Sequence, residues 1–134
     1  MGILDKLYEE NDSEIVEEFI NQWDYIIDDI DLVIERLETD YKESVNELFR
    51  IFHSLKSATA FLKLKRINVF AQLVEDVLEN ARQKDKATNE LIDWLFLASG
   101  QIMKWYDEIN HNKELSSIDA RLLKLPKGYW KHLA

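Results

Sequence analysis

Apolar residues recur at steps of three and four through four successive stretches, and little interrupts them: 134 residues include three glycines and one proline. That spacing lines one face of an α-helix, so each stretch predicts a helix with one side to bury. Ile15, Phe19, Trp23, Ile26, Ile27, Ile30, Val33, Ile34 and Leu37 form the first stripe, carrying a helix from near Ser13 to about Glu38. Asn11, Asp12 and Ser13 supply cap chemistry, and Glu14, Glu17 and Glu18 place negative charge where the helix dipole favours it. Val45, Leu48, Phe49, Phe52, Leu55, Thr59 and Leu62 share a face of a second helix, about 41–62. Lys63-Leu64-Lys65-Arg66 reads as a short connection to a third stripe of Ile67, Phe70, Val74, Val77, Leu78 and Ala81. Thr88 caps a fourth helix, running to about Asn112, that carries Leu91, Ile92, Leu95, Ala98, Ile102, Trp105, Tyr106 and Ile109. Ile3 to Tyr8 predicts a short leading helix, and Ser116-Ser117 the cap of a short trailing one before Leu125-Pro126.

Nothing alternates with the period of a strand, and no internal repeat or low-complexity stretch is present. The fold class expected is all-α: an antiparallel four-helix bundle, since short connections make neighbours antiparallel, with short extra helices at the N- and C-termini. The length suits a single domain over 1–134, with a bundle core of about 13–112 and a C-terminal extension of about 113–134.

Composition then excludes several classes of function. Cysteine is absent, which removes disulfides, thiol nucleophiles and thiolate metal sites and is compatible with the cytoplasm, the location expected here. The longest apolar run is Trp94 to Ala98, far short of the roughly 20 residues that cross a bilayer. A formal charge of −9 argues against nucleic acid and anionic membrane as partners and favours a protein partner, with a monomer expected. No glycine-rich phosphate loop, Walker motif or kinase nucleotide box is present, so no ATP site is expected and the chain is not expected to be an enzyme by itself.

The chemistry concentrates in the second helix. At about 100° per residue, His53 lies about 120° from the middle of the buried stripe, on the shoulder of the bundle. Phe49, Lys56 and Ala60 share its side at i−4, i+3 and i+7, and Ser57 and Ala60 leave the surface beside the ring open. A histidine that accepts a phosphoryl group needs exposure for in-line attack, a nearby cation, and little bulk where a partner must dock. His53, Lys56, Ser57 and Ala60 supply these, and Lys63, Lys65 and Arg66 add a basic end to an acidic chain, either complementing the helix dipole or meeting an acidic partner. His111 and His132 lack metal-ligand spacing, and no metal site or other cofactor is expected on this chain. Trp23, Trp94, Trp105 and Tyr106 read as core, while Tyr129 and Trp130 are a packed tail or an exposed segment.

The segment FHSLKSATAFLKL (52–64) resembles the histidine phosphotransfer signature, an acceptor His followed by Lys at +3 and then small residues. INVFAQLVEDVLENAR (67–82) resembles the following helix in the N-terminal phosphotransfer domain of the chemotaxis histidine kinase CheA. The resemblance covers roughly 10–112. It implies that His53 accepts a phosphoryl group on its outer ring nitrogen, that Lys56 stabilises it, and that Glu75 orients the ring. It also implies a histidine kinase and a response-regulator receiver domain as partners in a phosphorelay, with Mg²⁺ on the receiver. Ser57, Ala60, Lys63 and Gln72 are the expected docking positions. Three of them depart from the pattern: Ser57 and Lys63 stand where the family usually has Gly, and Gln72 where the chemotaxis kinase usually has a second His. Two other readings stay open: a helical scaffold or phosphatase that binds a receiver without a phosphohistidine, and the front domain of a longer kinase.

Overall fold

A computed structural model of the protein describes residues 2–129; Trp130 and His132 lie outside the described residues. The helices are α1 (Ile3–Glu10), α2 (Ser13–Glu35), α3 (Tyr41–Phe61), α4 (Lys65–Ala81) and α5 (Asn89–Asn110), with 3-10 turns at Arg36–Glu38 and Ala120–Leu123. Among the described residues there is no strand. Helices α2 to α5 form the bundle. Ser99 Oγ donates to Asp31 at 2.6 Å and Tyr106 Oη to Asp24 at 3.1 Å, so α5 descends along α2 as α2 rises. Tyr41 bonds the carbonyl of Ala81 at one end of α3–α4, while Phe52 meets Phe70 edge-on further along, which makes that pair antiparallel as well.

The predicted stripes form the core. Ile30, Val33, Leu48, Ile67, Val74, Val77, Leu91, Ala98, Ile102 and Trp105 are fully buried. Edge-on contacts link Phe52 to Phe70 and Phe70 to Trp105, one aromatic ladder through α3, α4 and α5. Trp23 and Trp94 are buried as expected, but Tyr106 is only half-buried because its hydroxyl reaches out to Asp24.

Element ends depart from the sequence reading in instructive ways. The first long helix tightens into a 3-10 turn over its last three predicted residues, Arg36–Glu38. The connection after α3 is Leu62 to Leu64, and Lys65 and Arg66 already belong to the first turn of α4, where their charge does not complement the dipole. Asp12 occupies the N-cap position of α2 with extended backbone but makes no side-chain cap bond, whereas Thr88 does cap α5, accepting from Leu91 N at 3.1 Å. Two helices close with paired main-chain bonds. After α3, Leu64 N bonds Thr59 O and Lys63 N bonds Ala60 O; after α5, Lys113 N bonds Glu108 O and Asn112 N bonds Ile109 O. Both closures need a left-handed residue, supplied by Lys63 (φ 60°) and Asn112 (φ 53°).

The trailing helix expected after Ser116-Ser117 does not form there. Ser116 instead gives its carbonyl to Trp105 Nε1 and to Arg66, its hydroxyl and N–H bond Glu108, and the short turn at Ala120–Leu123 is capped by Asp119. Residues 113–129 form an extended strap that runs antiparallel to α5. Asp119 N bonds Gln101, Trp94 Nε1 bonds the Leu122 carbonyl, and Lys127 N bonds Glu90. Leu122 and Tyr129 are buried, so Tyr129 is packed rather than displayed. At the strap's end Tyr129 lies beside Tyr41, whose burial pushes its phenol well above its ordinary value.

Three outcomes are expected. Leu122→Ala lowers unfolding free energy by about 2–4 kcal/mol, read from the urea midpoint at unchanged slope, because the strap loses its buried anchor. Lys63→Gly raises it by about 0.5–1 kcal/mol, since a side chain then no longer occupies the left-handed region. Because Tyr41's folded value is raised, the stability it contributes is full below about pH 10 and is lost as pH rises beyond. Urea titrations at pH 8 and 11 read that alkaline fall, which Tyr41→Phe shrinks.

Candidate functional site

The stripe that buries Phe52 and Leu55 leaves His53 facing out from α3, with its side chain 57% exposed. One turn earlier, Phe49 lies nearly parallel to the imidazole, with an interplanar angle of 9° and centroids 6.1 Å apart. Arg82, from the end of α4, places its guanidinium 3.7 Å from the centre of the Phe49 ring, within cation–π range. It is further held by Glu79 at 3.1 Å.

Glu75 reaches the ring from α4. Phe70, Val74 and Val77 turn into the core, which leaves Glu75 on the shoulder of its helix, facing α3. Its side chain is only 12% exposed. Oε2 lies 3.3 Å from His53 Nδ1, and Oε1 accepts from Lys56 Nζ at 2.9 Å. A largely buried carboxylate is costly without donors on its oxygens, and the two residues that the helical spacing puts on this face of α3 supply one each. Nδ1 carries the proton in that contact, because a carboxylate can only accept. Nε2 points away from Glu75, none of the described residues bonds it, and in the neutral ring it would carry the lone pair.

The remaining positions sort by environment. Ser57 and Ala60 are exposed on the same side of α3 as His53, next to the ring and beyond it. Lys63 is exposed in the turn that closes α3, so a Lys stands in the left-handed position that Gly fills most easily, and the helix ends there regardless. Gln72 is exposed one turn before Glu75 and donates to Asp76 at 2.8 Å. Arg66 is committed to the Leu115 and Ser116 carbonyls at 2.6 and 3.2 Å, so it anchors the strap. His111 pairs with Asp107 at the end of α5, and among the described residues no group of His, Asp and Glu is arranged to hold a metal.

Two contributors escaped the sequence reading, Arg82 and Asn68, whose amide donates to the Lys56 carbonyl at 2.7 Å. The signal was there: Asn68, Gln72, Glu75, Glu79 and Arg82 recur at steps of four, three, four and three, a polar stripe along one side of α4.

The Hpt domain family model matches residues 10–112. The chain belongs to the Hpt domain family. Two chemotaxis proteins CheA are similar to it over 94 residues, 68% of the chain: that of Borreliella burgdorferi at 34% identity and that of Treponema pallidum at 27%. The chain spans 11% and 12% of the length of these curated relatives. No solved structure matches it. Histidine phosphotransfer in a two-component system is the function that this membership carries, as a phosphotransfer carrier module rather than a catalytic domain. Among the described residues no helix is long and apolar enough to cross a membrane.

Glu75→Gln leaves the Lys56 ammonium, 24% exposed, without its counter-charge and costs about 1–2 kcal/mol of stability, less than for a fully buried pair. Thermal unfolding at low and high salt checks this: the deficit of the variant shrinks as salt screens the pair in the wild type.

Proposed function

We propose that His53 is the phosphoacceptor of this Hpt domain, taking a phosphoryl group from a histidine kinase or a phosphorylated receiver and passing it to a receiver aspartate. The observation that carries the reading is the Nδ1–Glu75 contact. With the proton held on Nδ1, the Nε2 lone pair is free at the surface and attacks phosphorus in line. The Nε2–P bond forms as a P–O bond breaks, that of the receiver's aspartyl phosphate or of the γ-phosphoryl group of ATP held by the kinase, and the carboxylate or ADP oxygen leaves with the electron pair. The ring gains positive charge as its lone pair is spent, and the Glu75 carboxylate on the far nitrogen stabilises it.

Lys56 has two calls on its ammonium. It neutralises Glu75 in the resting chain and lies one turn from the ring, where it offsets the phosphoryl charge once that arrives. Metal chemistry belongs to the receiver, whose Mg²⁺ serves the transfer in either direction. Ser57, Ala60, Lys63 and Gln72 supply the surface on which the receiver settles, and Ala60, with no side chain past Cβ, keeps the approach low. The two relatives carry chemotaxis in their names, which makes a chemotaxis relay the favoured setting.

Incubating the protein with a phosphorylated receiver and following the label tests this. Transfer to the wild type, lost in acid and retained in alkali, with none to His53→Gln, is the expected result. Equal labelling of His53→Gln, or an acid-stable product, overturns it by placing the acceptor elsewhere, and no label on the wild type overturns it in favour of a module that binds receivers without a phosphohistidine.

A further inference from the structure

Asn68 stands in the first turn of α4, half-buried, with its side-chain amide 2.7 Å from the main-chain oxygen of Lys56. That oxygen lies inside α3 and has a second lone pair to offer beyond its helical bond; the Thr59 hydroxyl also approaches it, at 3.2 Å. Asn68 and Glu75 are seven residues apart, two turns and about 10 Å along one side of α4. Both end on the same α3 residue. Asn68 grips the main chain of Lys56, and Glu75 grips its ammonium at 2.9 Å.

We infer that Asn68 is a positioning residue: by holding the Lys56 carbonyl it sets the register of α3 against α4 at which one carboxylate reaches both Lys56 Nζ and His53 Nδ1. The two Glu75 contacts are unequal. The Lys56 bond is short and joins opposite charges, whereas the His53 contact is 3.3 Å, near the limit of a useful hydrogen bond. A slide of α3 by a few tenths of an ångström therefore costs the histidine contact first, while the flexible lysine stem follows the carboxylate. Asparagine suits the task because its donor is short, fixed by two torsions and uncharged, so it does not compete with Glu75 for the ammonium. A tie to main chain also fixes the helix itself.

The proposal rests on the reading of His53 as acceptor for its consequence, and its test separates the two. Two-bond ¹H–¹⁵N spectra of the imidazole at pH 8 report which nitrogen of His53 holds the proton. Phosphoramidate, which loses ammonia as its phosphorus bonds to Nε2, reports reactivity without any partner. In Asn68→Leu the ring shifts toward the tautomer protonated on Nε2 and labelling slows about tenfold, the scale on which residues that orient a functional histidine act. Asn68→Gln, which keeps the donor on a stem one methylene longer, recovers both in part. Leu122→Ala, less stable but remote from the ring, keeps the wild-type tautomer and rate. Should Asn68→Leu fail to fold, Asn68→Ser, too short to reach the carbonyl, gives the same readout. A wild-type tautomer in the Leu or Ser variant, or an equal shift in Leu122→Ala, overturns the inference. A shifted tautomer in a protein whose wild type takes no label on His53 supports the positioning role and sinks the acceptor reading instead.

Discussion

A single carboxylate, largely removed from water between two helices, sets the terms for everything around it. Glu75 is stable in that groove only with a donor on each oxygen, and the two donors it finds are the imidazole of His53 and the ammonium of Lys56. The requirement runs both ways. The carboxylate needs the donors to be tolerated, and under the proposed reading of His53 the ring in turn needs the carboxylate to keep its proton on the inner nitrogen. Neither helix alone can meet these conditions, so the site exists only at one relative placement of α3 and α4.

Several contacts set that placement coarsely, and the Asn68 tie to the Lys56 carbonyl adds the fine register. A tight turn with Lys63 in the left-handed region joins the helices, the Phe52–Phe70–Trp105 ladder locks their buried sides, and Tyr41 ties the far end to Ala81. The strap adds a further constraint, since Arg66 binds its main chain from α4 while Trp94, Gln101 and Trp105 bind it from α5. The strap lies outside the residues that the family model matches, yet it buries Leu122 and Tyr129 against the bundle. Here the extension is part of the core.

The sequence was most legible where burial alone decides the outcome. The four stripes named the core helices because a 3.6-residue period leaves few alternatives, whereas Glu75 was singled out by the resemblance of its helix to the phosphotransfer family, a pairing that the inward turn of Phe70, Val74 and Val77 permits. Helix ends were less legible. Whether Lys65 and Arg66 end one helix or begin the next depends on the left-handed residue before them, and Lys, unlike Gly, gives no local sign of adopting it. The strap was least legible, because its partners are main-chain carbonyls taken by Trp94, Trp105 and Arg66 from 11 to 50 residues away, and no periodicity records such bonds. Asn68 was missed for a related reason: its partner is a carbonyl inside another helix, a group that every residue possesses.

The charge distribution bears on how an acidic chain could meet the partner proposed for His53. The whole carries −9, which repels a second acidic protein at long range, yet an acidic, Mg²⁺-binding receiver pocket is the partner proposed for His53. The conflict eases at short range, because the Debye length is about 8 Å at physiological ionic strength and only nearby groups act on a docked pocket. Near His53 Lys56 is paired with Glu75 and Arg82 with Glu79, Asp76 lies beside Gln72, and Lys63 stands exposed in the turn beyond Ala60. A partner therefore meets a face of largely balanced charge on an acidic molecule. Keeping Lys63 at a position where Gly is easier for the backbone fits this account: the strain is local and small, and the charge stands in the turn that closes α3.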